Sequence, residues 1–96
     1  MDHRLKSSLQ ERFAKERGAC RYPAGGRTRF ALVYPNTYFV GMSNLGLHII
    51  YDLLNRRTDT ACERVFLPDR TELPRYERTQ TPMMSVETQT PLADFA

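Results

Sequence analysis

"FALVYPNTYFVGMSNLGLHII", residues 30–50, is the stretch on which the fold turns. "RFALVY", residues 29–34, is continuous rather than alternating and has no polar position after Arg29. That pattern predicts a strand covered on both faces, as in the middle of a parallel sheet. Pro35 should end it, because proline cannot donate to a ladder. A loop is expected from Pro35 to about Ser43. "NLGLHIIYDLLNRR", residues 44–57, then predicts a helix. Ser43 or Asn44 can cap its free amides, and Arg56 and Arg57 sit where cations complement the helix dipole. Leu47, Ile50, Tyr51 and Leu54 form one stripe, which Leu45, Ile49 and Leu53 widen. A helix apolar around so much of its girth should be covered on more than one side.

Downstream, "CERVFLP", residues 62–68, predicts a second strand. Strand, helix and strand within this distance make a βαβ unit, whose crossover is right-handed. Residues 69–82 read as a polar connector with one short helical turn. "MMSVET", residues 83–88, reads as a short strand, and "PLADF", residues 91–95, as a turn into a further element. Upstream, Leu5, Leu9 and Phe13 recur every four residues and predict a helix over residues 3–17, stopped at Gly18. Its apolar stripe is too narrow to fold alone and should lie against something. "RYPAGGRT", residues 21–28, is a connector. The domain division expected is a basic helix and linker over residues 1–28 and a truncated Rossmann-like domain over residues 29–96.

The 96 residues allow one domain at most, and 41% apolar content suits a globular piece. Cys20 and Cys62 lie far apart without metal-type spacing, so reduced thiols in a cytoplasmic setting are expected. No apolar run approaches the ~20 residues a membrane-spanning helix needs. The N-terminus lacks a signal-peptide core. Net charge is +3, divided as +5 up to residue 30 and −2 beyond it. A basic arm of this kind can attract nucleic acid, but a solvated helix surface explains it as well.

The loop from Pro35 to Ser43 lies beyond the carboxyl end of the first strand, where doubly wound folds bind ligands. Gly41 and Gly46 would let backbone approach a ligand, or would serve tight packing. The stretch is neither G-x-G-x-x-G nor a P-loop, so a dinucleotide or nucleoside triphosphate site is unsupported.

"YPNTYFVGMSNLGLHIIYDLLN", followed by "ERVFLPD" and "SVETQTPLADF", resembles the N-terminal region of a family of radical S-adenosylmethionine (radical SAM) proteins that carry a cobalamin-binding-like domain. The resemblance covers roughly residues 29–96 and implies an incomplete Rossmann-like α/β fold. It also implies a downstream barrel whose four-iron, four-sulfur cluster, held by C-x-x-x-C-x-x-C, cleaves S-adenosylmethionine. Cys20 and Cys62 cannot supply three thiolates, so the cluster and S-adenosylmethionine are expected only in that downstream domain. The chain is expected to be a truncated, non-catalytic front end. Cobalamin domains that ligate cobalt use D-x-H-x-x-G in this loop. Here Asn36, Thr37, Tyr38, Phe39, Val40 and Gly41 stand at those positions, and only Gly41 matches. A phenol is a poor substitute for imidazole at neutral pH, so no loop side chain should ligate cobalt. Corrin, where it binds, is expected on Val40, Gly41 and Met42. The alternative is a fold that persists without corrin. The ligand-facing surface implied comprises Asn36, Tyr38, Val40, Gly41, Met42, Ser43 and Gly46.

His48 has no second metal donor, and Asp52 and Asp59 lack a partner carboxylate for acid–base work. Ser43 is better read as a cap than a nucleophile, and Met42, Met83 and Met84 as core filling. The competing function is a small interaction module that docks to a protein or, through its Arg-rich arm, to nucleic acid. Expected partners are the missing radical SAM domain, another protein or a second copy. With few strands and an exposed sheet edge, the isolated chain should aggregate, dimerise or pack loosely.

Overall fold

The computed structural model describes residues 3–16, 22 and 25–95. Gly18 and Cys20 lie outside these, with the stop and the thiol assigned to them. The fold is α/β. Helix α1 (His3–Lys15) precedes strand β1 (Thr28–Thr37), a short helix α2 (Tyr38–Met42), helix α3 (Leu45–Arg56), strand β2 (Thr60–Leu67) and a short helix α4 (Leu73–Arg78). A single 3₁₀ turn, Leu92–Asp94, comes last. Among the described residues the sheet has two strands, β1 and β2, paired in parallel. Val33 faces Val65 and Tyr34 faces Phe66, the register of an incomplete Rossmann-like βαβ unit.

Five expectations need correction. First, β1 does not stop at Pro35 but continues to Thr37, with a register shift after Tyr34. The alternation of ladder bonds explains this. Thr28 N donates inward to Asp59 O, so the backbone groups of alternate residues 28, 30, 32 and 34 turn toward β2. Position 35 turns outward, where proline's missing N–H breaks no ladder bond. Second, β1 is not covered on both faces: Phe30 on one face and Val33 on the other are 48% and 41% exposed.

Third, the expected loop holds a helix, because Tyr38–Met42 coil into α2 and only Ser43 and Asn44 are left to turn the chain. Fourth, α3 is covered on one side only. Leu47, Tyr51 and Asn55 are buried, whereas Leu45, Ile49, Ile50 and Leu53 are exposed. Fifth, residues 83–88 form no strand. Met84 makes one isolated antiparallel bridge with Pro91, and a turn occupies residues 86–88.

The core joins Leu5 and Leu9 of α1 to Tyr38, Leu47, Phe66, Met84 and Val86. The narrow stripe of α1 therefore finds the cover it requires, with Phe13 packed beside it. Asn44 caps α3 by accepting from Leu47 N at 2.9 Å. Asp69 starts the turn into α4, its carboxylate accepting from Thr71 N and Glu72 N at 3.0 Å. The Thr71 hydroxyl first, then the Glu72 amide and Arg12, hold its acidity below the usual carboxylate range.

Candidate functional site

The corner between β1 and α3 lies at the carboxyl end of the sheet. The chain turns there through Asn36, whose side chain accepts from Thr37 N at 2.8 Å. Through α2 and the Asn44 cap it then enters α3. Asn44 N donates to Gly41 O at 2.9 Å, and its side-chain amide donates to Tyr34 Oη at 3.1 Å. The corner is thus tied to both β1 and α2.

The implied ligand-facing residues divide across this corner. Asn36, Val40, Ser43 and Gly46 are exposed along its rim, and Met42 is half-buried. Tyr38 and Gly41 point into the fold. Tyr38 Oη donates to Glu16 Oε2 at 2.6 Å, and its ring meets Phe66 edge-on. Burial first, then the bond to Glu16, pushes the phenol above its ordinary pKa, so Tyr38 stays protonated and occupied. A Cβ at Gly41 would overlap the Phe66 ring, so this glycine permits helix-to-strand packing. Two residues that the sequence reading left out belong to the rim: Phe39 and Leu45, 65% and 72% exposed. The signal for them was two large apolar side chains inside a stretch too polar and glycine-containing to bury them.

His48 is the imidazole nearest this corner. The carbonyl of Met42 engages His48 Nε2 at 2.6 Å, which makes that nitrogen the N–H donor and removes its lone pair. Among the described residues no group of three His, Cys, Asp or Glu side chains could hold a metal ion. Cys62 is buried. The donor set therefore does not fit an iron–sulfur cluster. For a corrin the corner offers an apolar face in Phe39, Val40 and Leu45.

Sequence reasoning missed two buried polar networks behind the corner. In the first, Arg64 Nε meets Glu87 Oε2 at 2.6 Å and Arg64 Nη1 meets Glu16 Oε1 at 2.8 Å. The guanidinium also lies 4.4 Å from the centre of the Tyr51 ring. Burial opposes the charge on Arg64, but Glu87 and Glu16 outweigh it and its pKa lies above the ordinary value. Burial pushes Glu87 upward against the pull of Arg64. In the second network, Glu63 accepts from Arg29 at 2.8 Å and from the Ser85 hydroxyl at 2.7 Å. Thr88 and Thr90 complete it through Arg29 Nη2 at 3.2 and 2.9 Å. These groups bind the 83–95 segment to β2, and only Arg64 Nη2 is buried without a hydrogen-bond partner among the described residues. Adjacent opposite charges inside the otherwise apolar "CERVF", and a lone acidic residue in "SVET", were the available signal.

The remaining candidates are structural. Asp52 pairs with Arg56 at 2.8 Å within α3. Asp59 is held down to about 2 by its bond to Arg57 first and Thr60 second. Met84 is buried in the core. In the basic arm, Arg12 pairs with Asp69 and Glu72 at 3.3 and 3.1 Å and stacks on Tyr38 and Phe39. Among the described residues no helix is long and apolar enough to cross a membrane.

Comparison with curated proteins and with solved structures gives no match. A family model gives one: residues 46–96, from the start of α3 through the segment that carries Glu87 and Thr90, match radical SAM proteins, N-terminal. The match covers more than half of the chain, takes in most of both buried networks, and makes the chain a member of the radical SAM N-terminal family.

Proposed function

We propose that the chain is the cobalamin-binding-like N-terminal portion of a radical SAM protein, and that it is non-catalytic by itself. On this reading residues 29–96 form the cobalamin-like part and residues 1–28 its basic lead-in. The α2–α3 rim faces either a corrin or the radical SAM domain that supplies the cluster. The observation that carries the reading is the rim itself, where Phe39, Val40 and Leu45 are exposed beside a capped helix start and His48 Nε2 is engaged by the Met42 carbonyl. A corrin, when bound, supplies cobalt-centred chemistry. The residues of this chain would supply an apolar seat through Val40, Phe39 and Leu45, with Asn36 and Ser43 as polar contacts at its margin. A cytoplasmic setting fits two cysteines far apart in sequence and without the spacing of a disulfide framework.

The nucleic-acid alternative has less support, because Arg12 and Arg29 already have carboxylate partners. The test is spectroscopic titration of the chain with hydroxocobalamin. We expect saturable binding without an imidazole-ligated spectrum, unchanged in His48→Ala. Val40→Glu should weaken it at least about tenfold by setting a charge against an apolar face. Absence of binding, or an imidazole-ligated spectrum that disappears in His48→Ala, overturns the corrin assignment.

A further inference from the structure

The α2–α3 corner occupies the carboxyl end of the sheet. At the amino end, a cleft of about 180 Å³ opens beside the first residues of β1 and β2. Arg27, Arg29, Glu63 and Thr88 line it, together with Tyr22 and Gly25 from the segment before β1.

Both guanidinium groups are fixed in place. Arg27 lies 3.7 Å from the centre of the Tyr22 ring. Tyr22 Oη donates to Asn55 O at 3.0 Å. The Asn55 side chain in turn accepts from Cys62 N at 2.8 Å and donates to Cys62 O at 3.1 Å, which ties α3 to β2. Arg27 Nη1 donates to Arg57 O at 3.0 Å and to Thr60 O at 2.7 Å, so both of its N–H groups are used. Arg29 lies over the Phe95 ring at 4.8 Å, and its Nη2 is held by Glu63, Thr88 and Thr90.

The two cations differ in what is left over. Arg29 has a carboxylate, Glu63, whose other oxygen is taken by Ser85 and Thr88. Among the described residues Arg27 meets no carboxylate, and its Nε and Nη2 have no hydrogen-bond partner. Asp59, close by in sequence, is paired with Arg57. Nε and Nη2 form the side-on edge with which a guanidinium grips two oxygens of a carboxylate or phosphate. The cleft thus holds two positive charges against one negative. Its open bidentate edge is already ordered by an aromatic plate and two carbonyls, and such preorganisation lowers the entropy lost on binding.

We propose that this cleft binds an oxyanion, a phosphate or carboxylate group, on the Nε and Nη2 edge of Arg27, with Arg29 as the second cation. The volume lies below the roughly 300–1,000 Å³ of pockets for larger organic ligands, so it suits one such group and not an extended chain. Gly25 and Gly26, at φ +95° and +76°, carry the backbone past the cleft, and nothing stands within 4 Å of the Cβ position of either. The approach on that side is unobstructed by described residues. The cleft shares no residue with the α2–α3 rim, so the proposal stands or falls independently of corrin binding.

The experiment is a titration of the full 96-residue chain with inorganic phosphate, and separately with acetate, at an ionic strength held constant with sodium chloride. It is followed through the arginine Nε–H signals in proton–nitrogen NMR spectra. The Arg27 and Arg29 signals should shift saturably, while that of Arg56, which pairs with Asp52 on α3, stays in place. Arg27→Gln should weaken binding at least about tenfold, read from the Arg29 signal. Arg27→Lys keeps the charge but loses the fork and should give a smaller loss, and Arg56→Gln should give none. Circular dichroism checks that each variant is folded. Tighter binding of phosphate than of acetate assigns the cleft to a phosphate group, and the reverse order to a carboxylate. The proposal is overturned if the Arg27 signal does not shift saturably with either anion, if all arginine signals move alike, or if both folded Arg27 variants bind as the parent does.

Discussion

β1 and β2 lie side by side in register and invert the ordinary relation between hydropathy and burial. β1 has no charge after Arg29, yet its Phe30 and Val33 are substantially exposed. β2 carries Glu63 and Arg64 at its centre, yet it is buried from Thr60 to Phe66, with Arg64 only 2% exposed. The difference lies in what each strand is offered. Each charge on β2 has an opposite charge beside it, Arg29 of β1 for Glu63 and Glu16 and Glu87 for Arg64, and its outer edge is matched at Cys62 and Arg64. β1 has the composition of a central strand and the surroundings of an edge. Burial in this chain therefore follows the supply of partners, not the apolarity of the strand.

The sharpest way to break this comparison is to remove the partner on β2 that holds the most. Arg64→Leu deletes the cation between Glu16 and Glu87 and leaves two buried carboxylates without compensation. A loss of about 3–5 kcal/mol in denaturant unfolding is expected. Replacing Glu16 and Glu87 with Gln in the same variant should recover much of it, since the cost lies in orphaned charge more than in lost attraction. A loss below about 1 kcal/mol would mean the network is ornamental and that β2 is buried for some other reason.

Asn55 tests the closed edge in the same way. Asn55→Leu keeps bulk on the buried side of α3 but strands the N–H and C=O of Cys62. The expected cost is about 2 kcal/mol. Hydrogen exchange at the Cys62 amide should accelerate well ahead of its neighbours, and uniform acceleration along β2 would argue for loosening of α3 as a whole.

How much of this was legible beforehand follows the same division. The parallel pair, the long α3 and its capping by Asn44 follow from local patterns: an apolar run, a period of 3.6, and an Asn at the first turn. The βαβ order limits the pairing to one arrangement. The α2 helix was hidden because Gly41 reads as a loop residue, and only the Phe66 ring across from it explains why a glycine sits inside a helix. The covering of β1 was misjudged for a related reason. An apolar sequence states what a strand can tolerate on its faces, not whether anything in the chain is there to cover them. The Arg64–Glu16–Glu87 cluster joins positions far apart in sequence, so no window of local pattern contains it. At the candidate corner Asn36, Val40, Ser43 and Gly46 are exposed, whereas Tyr38 and Gly41 turn inward because α2 coils there.

Tyr38 gives a smaller and pH-dependent effect. Its phenol is pushed above an ordinary value of 10.0, chiefly by burial and then by Glu16. The folded state therefore holds this proton more tightly than the unfolded chain does. The stability from Tyr38 is fully present below about pH 10 and is lost as pH rises through the folded value. Tyr38→Phe should cost about 1 kcal/mol at pH 7 through the bond to Glu16 and flatten the alkaline fall above pH 10. An unchanged alkaline limb would mean that another group titrates there.

The smallest effect falls on the rung that the two strands share. Val33 and Val65 are register partners, so one substitution can be placed on either strand at the same level of the sheet. Val→Thr preserves the branched shape and strand preference and adds one hydroxyl. At Val65, which is fully buried, that hydroxyl loses water without a designed partner, and about 2 kcal/mol should be lost. At Val33 solvent reaches the side chain, and the change should stay within about 0.5 kcal/mol. Urea midpoints of the two variants, measured at one concentration, give the difference directly. Equal losses would show that the Val33 and Val65 side chains are covered alike in solution.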